Sequence, residues 1–580
     1  LSCVEGVRFV RNAENLGFIG NMNAGAQAAC GEYLVLLNND TLVRPHAFDV
    51  MIATFTEFTD AGLVGAKLLN KDGTLQEAGG IIWQDGSGWN WGRNENPENP
   101  RFNFVRDVDY CSGAALAIKA ELFAELGGFD EYYKPAYYED TDLAFKVREK
   151  GLRVLYQPRA EIYHLEGVTH GRDDKSGIKA YQVENAIKFY ERWKSTLSTH
   201  AENGNNPIQE AHRQTKGNIL IIEACMLTPD QDSGSIRMLN FLKILKQEGY
   251  HVTFVADNLE YREKTVNQLT ALGVEVLYSH WAGSVRKVLR ELGRQLDAVI
   301  ICRHYIASQY VSLIRAYAPQ AKLIFDTVDL HFVREEREAE LSGSNMLKAE
   351  ALVTRRKELG LIASCDLTVV VSEFEKQLLA NLIPEAKVDI VSNIHSHTPQ
   401  RPGYGSREGI IFVGGFRHTP NIDAIKWYAK EVIPHLQALL PDVVTTVIGS
   451  NMPDEVKALA SPMLVMRGFV EDIEPELQRA RVSVAPLRYG AGVKGKVNEA
   501  MNYGIPVVAT ACAVEGMYLT ADEVMVADEP SVFAEAIAQV YQNHELWQQL
   551  SIAGVNNINA YFSPEAALPA IRRILDQGSS

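Results

Sequence analysis

The chain has 580 residues, 46% of them apolar and 22% charged, which is an ordinary globular composition spread over about three or four domains. A formal net charge of −16 argues against a nucleic-acid-binding protein, which would need a basic face. Seven scattered cysteines without a CxxC pair indicate reduced thiols in a cytoplasm rather than a disulfide framework or a zinc site.

The N-terminal residues, LSCVEGVRFV, carry neither an initiator Met nor a signal peptide, and they begin in mid-pattern. We therefore expect the sequence to be a piece of a longer chain. No apolar run approaches the roughly 18 residues needed to cross a bilayer. We expect a cytoplasmic protein, with contact at the inner face of the cytoplasmic membrane left open.

A short buried strand is predicted at Tyr33 to Leu37, and it ends abruptly in Asn38, Asn39 and Asp40. A carboxylate at the C-terminal edge of a parallel strand is well placed to hold a metal or a ligand. Asn and Asp also favour turns for their own conformational reasons. On this stretch alone, the turn is the favoured interpretation.

The stretch YYEDTDLAFKVREKG, residues 137–151, predicts a helix that begins with three acids, Glu139, Asp140 and Asp142. Acids stabilise a helix N-terminus because its unpaired N–H groups and its dipole favour negative charge. A capping role and a chemical role are therefore equal alternatives for these carboxylates.

A polar stretch without periodicity, residues 196–216, is predicted to link a first domain, 1–195, to a larger second segment. From Asn218 onward, continuous apolar strands alternate with amphipathic helices, which predicts an α/β fold with parallel sheets covered on both faces. The strands form two runs, 217–392 and 393–580, and so predict two Rossmann-like lobes that bind ligands at strand C-terminal ends.

Four stretches of the first domain occur in a familiar order: NAENLGFIGNMNAGAQAACGEYLVLLNNDT (12–41), CSGAALAIKAELFAELGGFDE (111–131), YYEDTDLAFKVREKG and YQPRAEIYHLEGVTHG (156–171). They resemble a family 2 glycosyltransferase of the GT-A fold. The resemblance implies that Asn38 and Asp40 are the outer, donor-binding positions of a DxD-like triplet. Asp40 and His164 would then hold Mn²⁺ or Mg²⁺ at the donor diphosphate. By itself, His164 would more often be an ordinary histidine.

The same resemblance implies that Asp140 is the general base of an inverting transfer. Glu139 and Asp142 join it as catalytic residues, because their charges would raise its pKa while the helix N-terminus lowers it. The chain departs from the family in lacking the first, nucleoside-binding strand and in placing a neutral Asn38 in the triplet. Three aromatic residues are equally suited to stacking on sugar rings or to the core: Trp83, Tyr137 and Tyr138.

Two glycine-rich loops in the second segment predict an anion site. Gly414 and Gly415 follow a strand, with Arg417 beside them. In GAGVKGKVNEAMNYGIPVVAT (490–510), glycines allow close approach of the backbone, Lys494 and Lys496 supply positive charge, and a helix begins near Val497. A nucleotide diphosphate would fit between Arg417 and Lys494.

This stretch, with EGIIFVGGFRHTPNIDA (408–424) and VVVSEFEK (369–376), resembles a family 4 glycosyltransferase of the GT-B fold. The resemblance implies that Glu499 binds the ribose hydroxyls, that the transfer is retaining, and that this half needs no metal. Ala491 stands where the family carries its first glutamate, so the identity of the sugar is open. Three residues after another strand suit a catalytic cleft or an ordinary turn equally: Asp326, Asp329 and His331.

The stretch SVRKVLRELGRQL, residues 284–296, predicts a helix with one apolar face and an outward basic face. A solvated basic face is the favoured interpretation, and contact with anionic lipid near a lipid-linked acceptor is the alternative.

Our first hypothesis is a bifunctional glycosyltransferase that adds sugars from nucleotide-sugar donors to a bacterial surface glycan. In the alternative, only the family 4 half is active, and the first half is a non-catalytic module that positions the glycan. A Rossmann oxidoreductase ranks last because no GxGxxG follows a strand. The donors, linkages and acceptor do not follow from the sequence.

Overall fold

The computed structural model describes residues 7–165, 180–398 and 400–576. The chain divides into two compact units, the first formed by residues 1–216 with 266–276 and the second by residues 217–265 with 277–580. Both units mix helices and strands, as the sequence predicts. The final part of the predicted family 2 stretch, residues 166–171, lies outside the described residues. Within the described ranges, every helix is too short or too polar to cross a membrane.

The first unit is built on a mixed sheet with the strand order β1-β8-β3-β9-β2, to which β4 and β7 add at β3 and β9. Its strands are β1 Tyr33–Leu37, β2 Thr41–Val43, β3 Ala61–Leu69, β4 Leu75–Glu77, β5 Gly80–Ile82, β6 Gly88–Asn90, β7 Arg106–Asp107, β8 Ala115–Lys119 and β9 Arg153–His164. Its helices before residue 217 are α1 Gly17–Ala28, α2 Ala47–Glu57, α3 Ala120–Glu125, α4 Glu139–Glu149, α5 Ala180–Leu197 and α6 Pro207–Glu210.

The central strands β3 and β9 are parallel, whereas β1 pairs antiparallel with β8. Strand β1, which precedes Asp40, is therefore antiparallel to its neighbour β8, and the expectation of a parallel strand before Asp40 is wrong. Strand β3 is buried along its whole length, and Gly65 within it permits a close crossing. A Cβ there would lie 2.2 Å from the Sγ atom of Cys111. The crossing holds the loop that leads into β8 against the centre of the sheet.

Residues 196–216, predicted to be a linker, instead pack on the first unit. The ring of His200 is buried, with Nδ1 2.8 Å from the carbonyl oxygen of Ile82. Arg213 forms an ion pair of 2.5 Å with Asp109. Polar side chains attach this stretch to the first unit through buried hydrogen bonds and ion pairs. A low apolar content therefore did not indicate a linker here.

Asp142 anchors α4 to α5 and is fully buried. It accepts hydrogen bonds from Arg192 (3.0 Å) and Trp193 (2.8 Å), and Tyr133 donates a third (3.0 Å). The ammonium of Lys146 lies 2.9 Å from its other oxygen. These partners saturate the carboxylate, so the prediction of a catalytic Asp142 gives way to a structural role.

The chain after residue 216 carries two parallel sheets. The first has the order β12-β11-β10-β13-β14-β15-β16 and the second the order β19-β18-β17-β20-β21-β22. The strands after residue 216 are β10 Asn218–Glu223, β11 His251–Ala256, β12 Glu275–Leu277, β13 Ala298–Cys302, β14 Lys322–Asp326, β15 Leu367–Val370, β16 Val388–Ile390, β17 Ile410–Val413, β18 Thr445–Ile448, β19 Leu464–Gly468, β20 Val482–Ala485, β21 Val507–Ala509 and β22 Met525–Val526.

Helices cover both sheets, as the alternating apolar pattern predicts. They are α7 Ser233–Gln247, α8 Glu263–Ala271, α9 Val285–Leu292, α10 His304–Tyr317, α11 His331–Ser342, α12 Asn345–Ser364, α13 Glu373–Leu382, α14 Thr419–Trp427, α15 Ile433–Leu439, α16 Asp454–Lys457, α17 Glu474–Arg479, α18 Gly495–Asn502, α19 Ala511–Val514, α20 Pro530–Gln542, α21 His544–Tyr561 and α22 Pro564–Leu575. The predicted α/β fold class is confirmed in both units.

The anchoring role of Asp142 predicts a stability defect without a binding defect. Replacing it with Ala leaves Trp193 without its acceptor and removes one partner of a buried ion pair, which should lower the free energy of unfolding by about 3 kcal/mol. Calorimetry of the full chain would measure this loss in the transition of the first unit. The matched control is Glu149→Ala, an exposed acid on the same helix. Equal stability of the two variants would contradict the anchoring role.

Candidate functional site

In the first unit, the strand pairing brings the predicted metal-binding residues together. Strand β2 pairs with β9 so that Thr41 lies opposite His164. The Nε2 atom of His164 is 3.4 Å from Asp40 Oδ1 and 3.5 Å from Asn38 Nδ2. The side chains of His164 and Asp40 are only 14% and 18% exposed. The three predicted residues thus form one half-buried cluster.

Gln76 sets the tautomer of His164, and sequence reasoning missed it. The Nε2 atom of Gln76 donates to the carbonyl oxygen of His164 and to Asn70 Oδ1, at 3.3 Å each, so the amide orientation is determined. Gln76 Oε1 must then accept the hydrogen bond of 2.8 Å from His164 Nδ1. The lone pair of His164 is left on Nε2, the nitrogen that faces Asp40.

The donor set of this cluster fits a divalent cation. Asp40 supplies a carboxylate and His164 an imidazole lone pair. The Oδ1 atom of Asn38 is buried without a hydrogen-bond partner, whereas the Nδ2 atom faces His164, so Asn38 would ligate an ion through Oδ1 only after its amide turns. An imidazole with two oxygen ligands favours Mn²⁺ over Mg²⁺, which prefers oxygen ligands alone.

A second centre lies at the first turn of α4. The carboxylate of Asp140 accepts a hydrogen bond of 2.8 Å from the backbone N–H of Gly113 and one of 2.7 Å from that of Thr141. The two residues before the helix, Tyr137 and Tyr138, have φ angles of 78° and 71°, which are strained for residues with a side chain. The surrounding fold must hold this backbone in place.

Asn185 on α5 supplies part of that restraint. Its side-chain amide donates hydrogen bonds to the carbonyl oxygens of Tyr133, Ala136 and Tyr137, at 2.6, 2.9 and 3.2 Å. Asn185 is fully buried. The loop that positions Asp140 is therefore tied to a helix 45 residues later in the chain, a contact that no local pattern predicts.

Burial raises the pKa of Asp140, and the hydrogen bonds from Gly113 and Thr141 oppose the shift. Burial, and then the charge of Asp140, raise the pKa of Glu139 well above its ordinary value. Like-charge repulsion from Glu139 and Asp142 was the predicted cause for Asp140, but Lys146 and Arg192 compensate the charge of Asp142. Desolvation is thus the main tuning force on Asp140.

Glu77 joins the two centres, and sequence reasoning missed it as well. Its Oε1 atom accepts a hydrogen bond of 2.9 Å from the backbone N–H of Ser112, and its other oxygen is buried without a partner. Burial raises its pKa to about 8. Its chain neighbour Gln76 binds His164. The sequence offered one indication of Glu77: two polar residues, Gln76 and Glu77, occur together in a short buried strand.

Three aromatic residues were predicted either to stack on sugar rings or to pack in the core, and Trp83 packs in the core. It is fully buried, and its ring contacts Trp89 edge to face at a centroid distance of 5.0 Å. The hydroxyl of Tyr138 donates to the carbonyl oxygen of Gly86 at 3.2 Å, and its ring packs on Phe189. Tyr137 is half-buried.

In the second unit, the two predicted glycine-rich loops come together. A Cβ at Gly414 would lie 3.0 Å from the ammonium of Lys496, and a Cβ at Gly495 would lie 2.2 Å from the Cβ of Ser233. Glycine is therefore required where α18 begins against the N-terminal turn of α7. This contact with Ser233 was not predicted. Arg417 is exposed beside the first loop.

The charged residues of this site are unusually desolvated. Lys494 is buried, and its ammonium donates to the carbonyl oxygen of Gly492 at 2.6 Å. Burial, and then the charge of Lys494, lower the pKa of Lys496 to about 7. Burial alone raises the pKa of Glu499 to about 7. Among the described residues, no hydrogen bond or ion pair engages the carboxylate of Glu499.

The acids on the facing lobe separate into two roles. Asp326 is buried in an ion pair of 2.6 Å with Arg237, which is a structural contact. Asp329 borders the glycine-rich loop, since a Cβ at Gly492 would lie 3.1 Å from the Cβ of Asp329. Arg334, His331 and Arg303 outweigh the burial of Asp329 and lower its pKa to about 2. Asp329 thus carries a negative charge at the loop.

Comparison with known families matches two parts of the chain. Residues 2–182 match the family described as "Glycosyltransferase like family 2", and residues 407–543 match the family described as "Glycosyl transferases group 1". These matches confirm the predicted pairing of a GT-A-type domain with a GT-B-type domain. They also confirm the predicted enzyme class, because both are families of glycosyltransferases.

Individual relatives match shorter parts. An uncharacterized protein of Sinorhizobium fredii is 29% identical over 33% of this chain, and the O-antigen biosynthesis protein RfbC of Myxococcus xanthus is 31% identical over 26%. The chain spans 21% and 12% of the lengths of these two proteins. An N-acetylglucosaminyl-diphospho-decaprenol L-rhamnosyltransferase of Mycobacterium tuberculosis is 25% identical over 33% of this chain and 70% of its own length.

Solved structures cover the larger part of the chain at low identity. Sucrose-phosphate synthase from Thermosynechococcus elongatus is 13% identical, covers 62% of this chain and 98% of its own, and has a TM-score of 0.48. HepE from Anabaena, solved with UDP and glucose, is 13% identical, covers 62% of this chain and 99% of its own, and has a TM-score of 0.47.

The burial of Glu77 predicts a pH-dependent stability. Its folded pKa of about 8 lies above its ordinary value of 4.5, so the folded chain holds a proton that the unfolded chain loses. The free energy of unfolding should therefore fall as pH rises from about 4.5 to 8, by up to about 1.4 kcal/mol per pH unit from this group. Glu77→Gln should flatten this slope, measured by urea unfolding across that range.

The matched control for this prediction is Glu121→Gln at an exposed position. It should keep the slope of the unchanged chain. An unchanged slope in Glu77→Gln would show that Glu77 is ionised in the folded chain at neutral pH, contrary to the expected effect of its burial.

Proposed function

Since residues 2–182 match the family 2-like glycosyltransferases and residues 407–543 match the group 1 glycosyl transferases, we propose that the chain is a bifunctional glycosyltransferase. In this proposal, residues 1–195 form the GT-A domain, 217–392 the acceptor lobe and 393–580 the donor lobe of the GT-B part. Each part transfers a sugar from a nucleotide-sugar donor to a growing bacterial surface glycan, the first with inversion and the second with retention.

In the first part, Asp40, His164 and Asn38 would hold a divalent cation. When bound, the ion neutralises charge on the departing nucleoside diphosphate. Asp140 accepts the proton of the acceptor hydroxyl and is held for this by Gly113 and Thr141. Its raised pKa makes it a stronger base than an exposed carboxylate, and burial also raises the pKa of neighbouring Glu139.

In the second part, Glu499 accepts hydrogen bonds from the ribose hydroxyls of the donor. Its carboxylate is desolvated and has no other partner among the described residues, so it is ready for two hydroxyl donors. The diphosphate lies against Gly414, Gly415 and the N-terminus of α18, with Lys494 and Arg417 as cations. This half is proposed to work without a metal in its donor site.

One observation carries the proposal of an active first part. The backbone of residues 112–114 touches both centres: Ala114 accepts a hydrogen bond of 2.9 Å from the N–H of Asn38, and Gly113 donates one of 2.8 Å to Asp140. A metal-binding cluster and a raised-pKa carboxylate are thus held on one short segment. A domain that only positioned a glycan would not need this pairing.

The acceptor is proposed to be a lipid-linked surface glycan. The names of two relatives, an O-antigen biosynthesis protein and a transferase acting on a diphospho-decaprenol, support a lipid-linked surface glycan. The apolar residues of α9, Val285, Val288 and Leu289, pack in the core, so the proposed contact with anionic lipid at the cytoplasmic face rests on the exposed charges of Arg286 and Arg290. Flotation with anionic vesicles at low salt, lost in Arg286→Glu/Arg290→Glu, would support that contact, and no flotation would oppose it.

Calorimetric titration of UDP, GDP, dTDP and CMP into the full chain tests the proposal. We expect two binding events, one that requires Mn²⁺ and one that does not. Asp40→Ala should remove the first, and Glu499→Ala should weaken the second at least tenfold. The control is Asp49→Ala, an exposed acid on α2. Loss of only the Glu499-dependent event in all conditions would mean that the first part is a non-catalytic module.

Asp140→Asn separates binding from chemistry in the same assay. It should retain the Mn²⁺-dependent event, because Asp140 does not belong to the cation cluster. Turnover of the donor bound there should fall by about 100-fold or more, which is the usual effect of removing a general base. Unchanged turnover would exclude Asp140 as the base.

A further inference from the structure

A second group of metal-ligand side chains lies in the second unit, away from the glycine-rich loops. It consists of His304, which follows β13, His331, which begins α11 after β14, and Glu358 on α12. One ligand atom from each residue lies within 4.8 Å of the other two. The strands β13 and β14 are parallel neighbours, so the two histidines stand at the carboxyl edge of the sheet.

His304 has a ring nitrogen without a partner. Its Nδ1 atom is buried and makes no hydrogen bond. Its ring meets that of His331 edge to face, with the centroids 4.6 Å apart. A buried nitrogen that forgoes a hydrogen bond costs free energy, and a cation on its lone pair would recover that cost.

The tautomer of His331 is fixed by Asp329. The Nδ1 atom lies 3.1 Å from the carbonyl oxygen of Asp329 and 3.1 Å from its carboxylate Oδ1. Because a carbonyl oxygen only accepts, Nδ1 carries the proton and Nε2 keeps the lone pair. A carboxylate behind a histidine is the common outer partner of a metal-bound imidazole.

Glu358 is a fully buried carboxylate, and the Nδ1 atom of His331 lies 4.0 Å from its Oε1 atom. It accepts hydrogen bonds from the backbone N–H groups of His331 (3.4 Å) and Phe332 (3.1 Å). Within the described part of the chain, no Lys or Arg forms an ion pair with it. The nearby guanidinium groups are engaged elsewhere: Arg334 by Asp329, Arg303 by Glu223 and Arg355 by Glu336.

We propose that His304, His331 and Glu358 bind a divalent transition-metal ion of the Zn²⁺ class. Two imidazoles and one carboxylate are a set that such ions accept, and three protein ligands leave a fourth position for water or a substrate hydroxyl. Tetrahedral coordination brings ligand atoms to about 3.4 Å from one another, so the group contracts slightly on binding. Asp329, which supports His331, also borders Gly492, so the ion lies beside the donor loop.

This ion is distinct from the one expected at Asp40, and it differs from the expectation that the second half needs no metal. The test therefore uses the full chain carrying Asp40→Ala and His164→Ala, stripped with a chelator and titrated with Co²⁺. Tetrahedral Co²⁺ gives an intense visible absorption, and Zn²⁺ should displace it. We expect one equivalent of Co²⁺ per chain, with the spectrum of a site with nitrogen and oxygen ligands.

Adding His304→Gln should weaken Co²⁺ binding at least tenfold and abolish the visible band. The fold should tolerate this change because the replaced Nδ1 makes no hydrogen bond. His435→Gln, at an exposed position on α15, is the matched control and should bind as before. His331→Gln provides a second variant with the same expected loss. No Co²⁺ equivalent in the parent, or equal affinity in His304→Gln and His435→Gln, would overturn the proposal.

Discussion

The first unit depends on a three-residue segment, 112–114, whose backbone is hydrogen-bonded on several sides. Ser112 donates to Glu77, Gly113 donates to Asp140, and Ala114 accepts from Asn38. The cation cluster and the proposed base therefore share one rigid support. A displacement of this segment would therefore misplace both centres.

Burial, more than charge repulsion, adjusts the acids around this support. Asp142 and Asp140 lie on the same helix, yet Asp142 is saturated by cations and Asp140 is held only by hydrogen bonds. One carboxylate is therefore used for stability, and the other keeps a raised pKa. In the second unit, Glu499 and Lys496 resemble Asp140, because burial shifts the pKa of each to about 7. Desolvated groups of this kind gain most from a charged or hydroxylated ligand.

Local patterns predicted the fold class, and the resemblance to two glycosyltransferase families supplied most of the candidate residues. Alternating apolar strands indicated the parallel sheets of the second unit, and the LNNDT and EDTD stretches carried the resemblance that implied roles for Asp40 and Asp140. Partners remote in sequence could not be predicted in this way. Gln76 reaches His164 across 88 residues, and Asn185 reaches Tyr137 across 48. The anchoring contacts of Asp142 could not be predicted either, because its partners Arg192 and Trp193 lie on another helix.

The first unit is proposed to hold a divalent cation at Asp40 and His164 beside a working base. Anomalous diffraction at the manganese edge, from crystals of the full chain grown with Mn²⁺ and a nucleoside diphosphate, tests it most directly. We expect an anomalous peak within about 2.3 Å of a carboxylate oxygen of Asp40 and of Nε2 of His164, in contact with the diphosphate. Bound nucleotide in the first unit without such a peak, or a peak that avoids both residues, would contradict it.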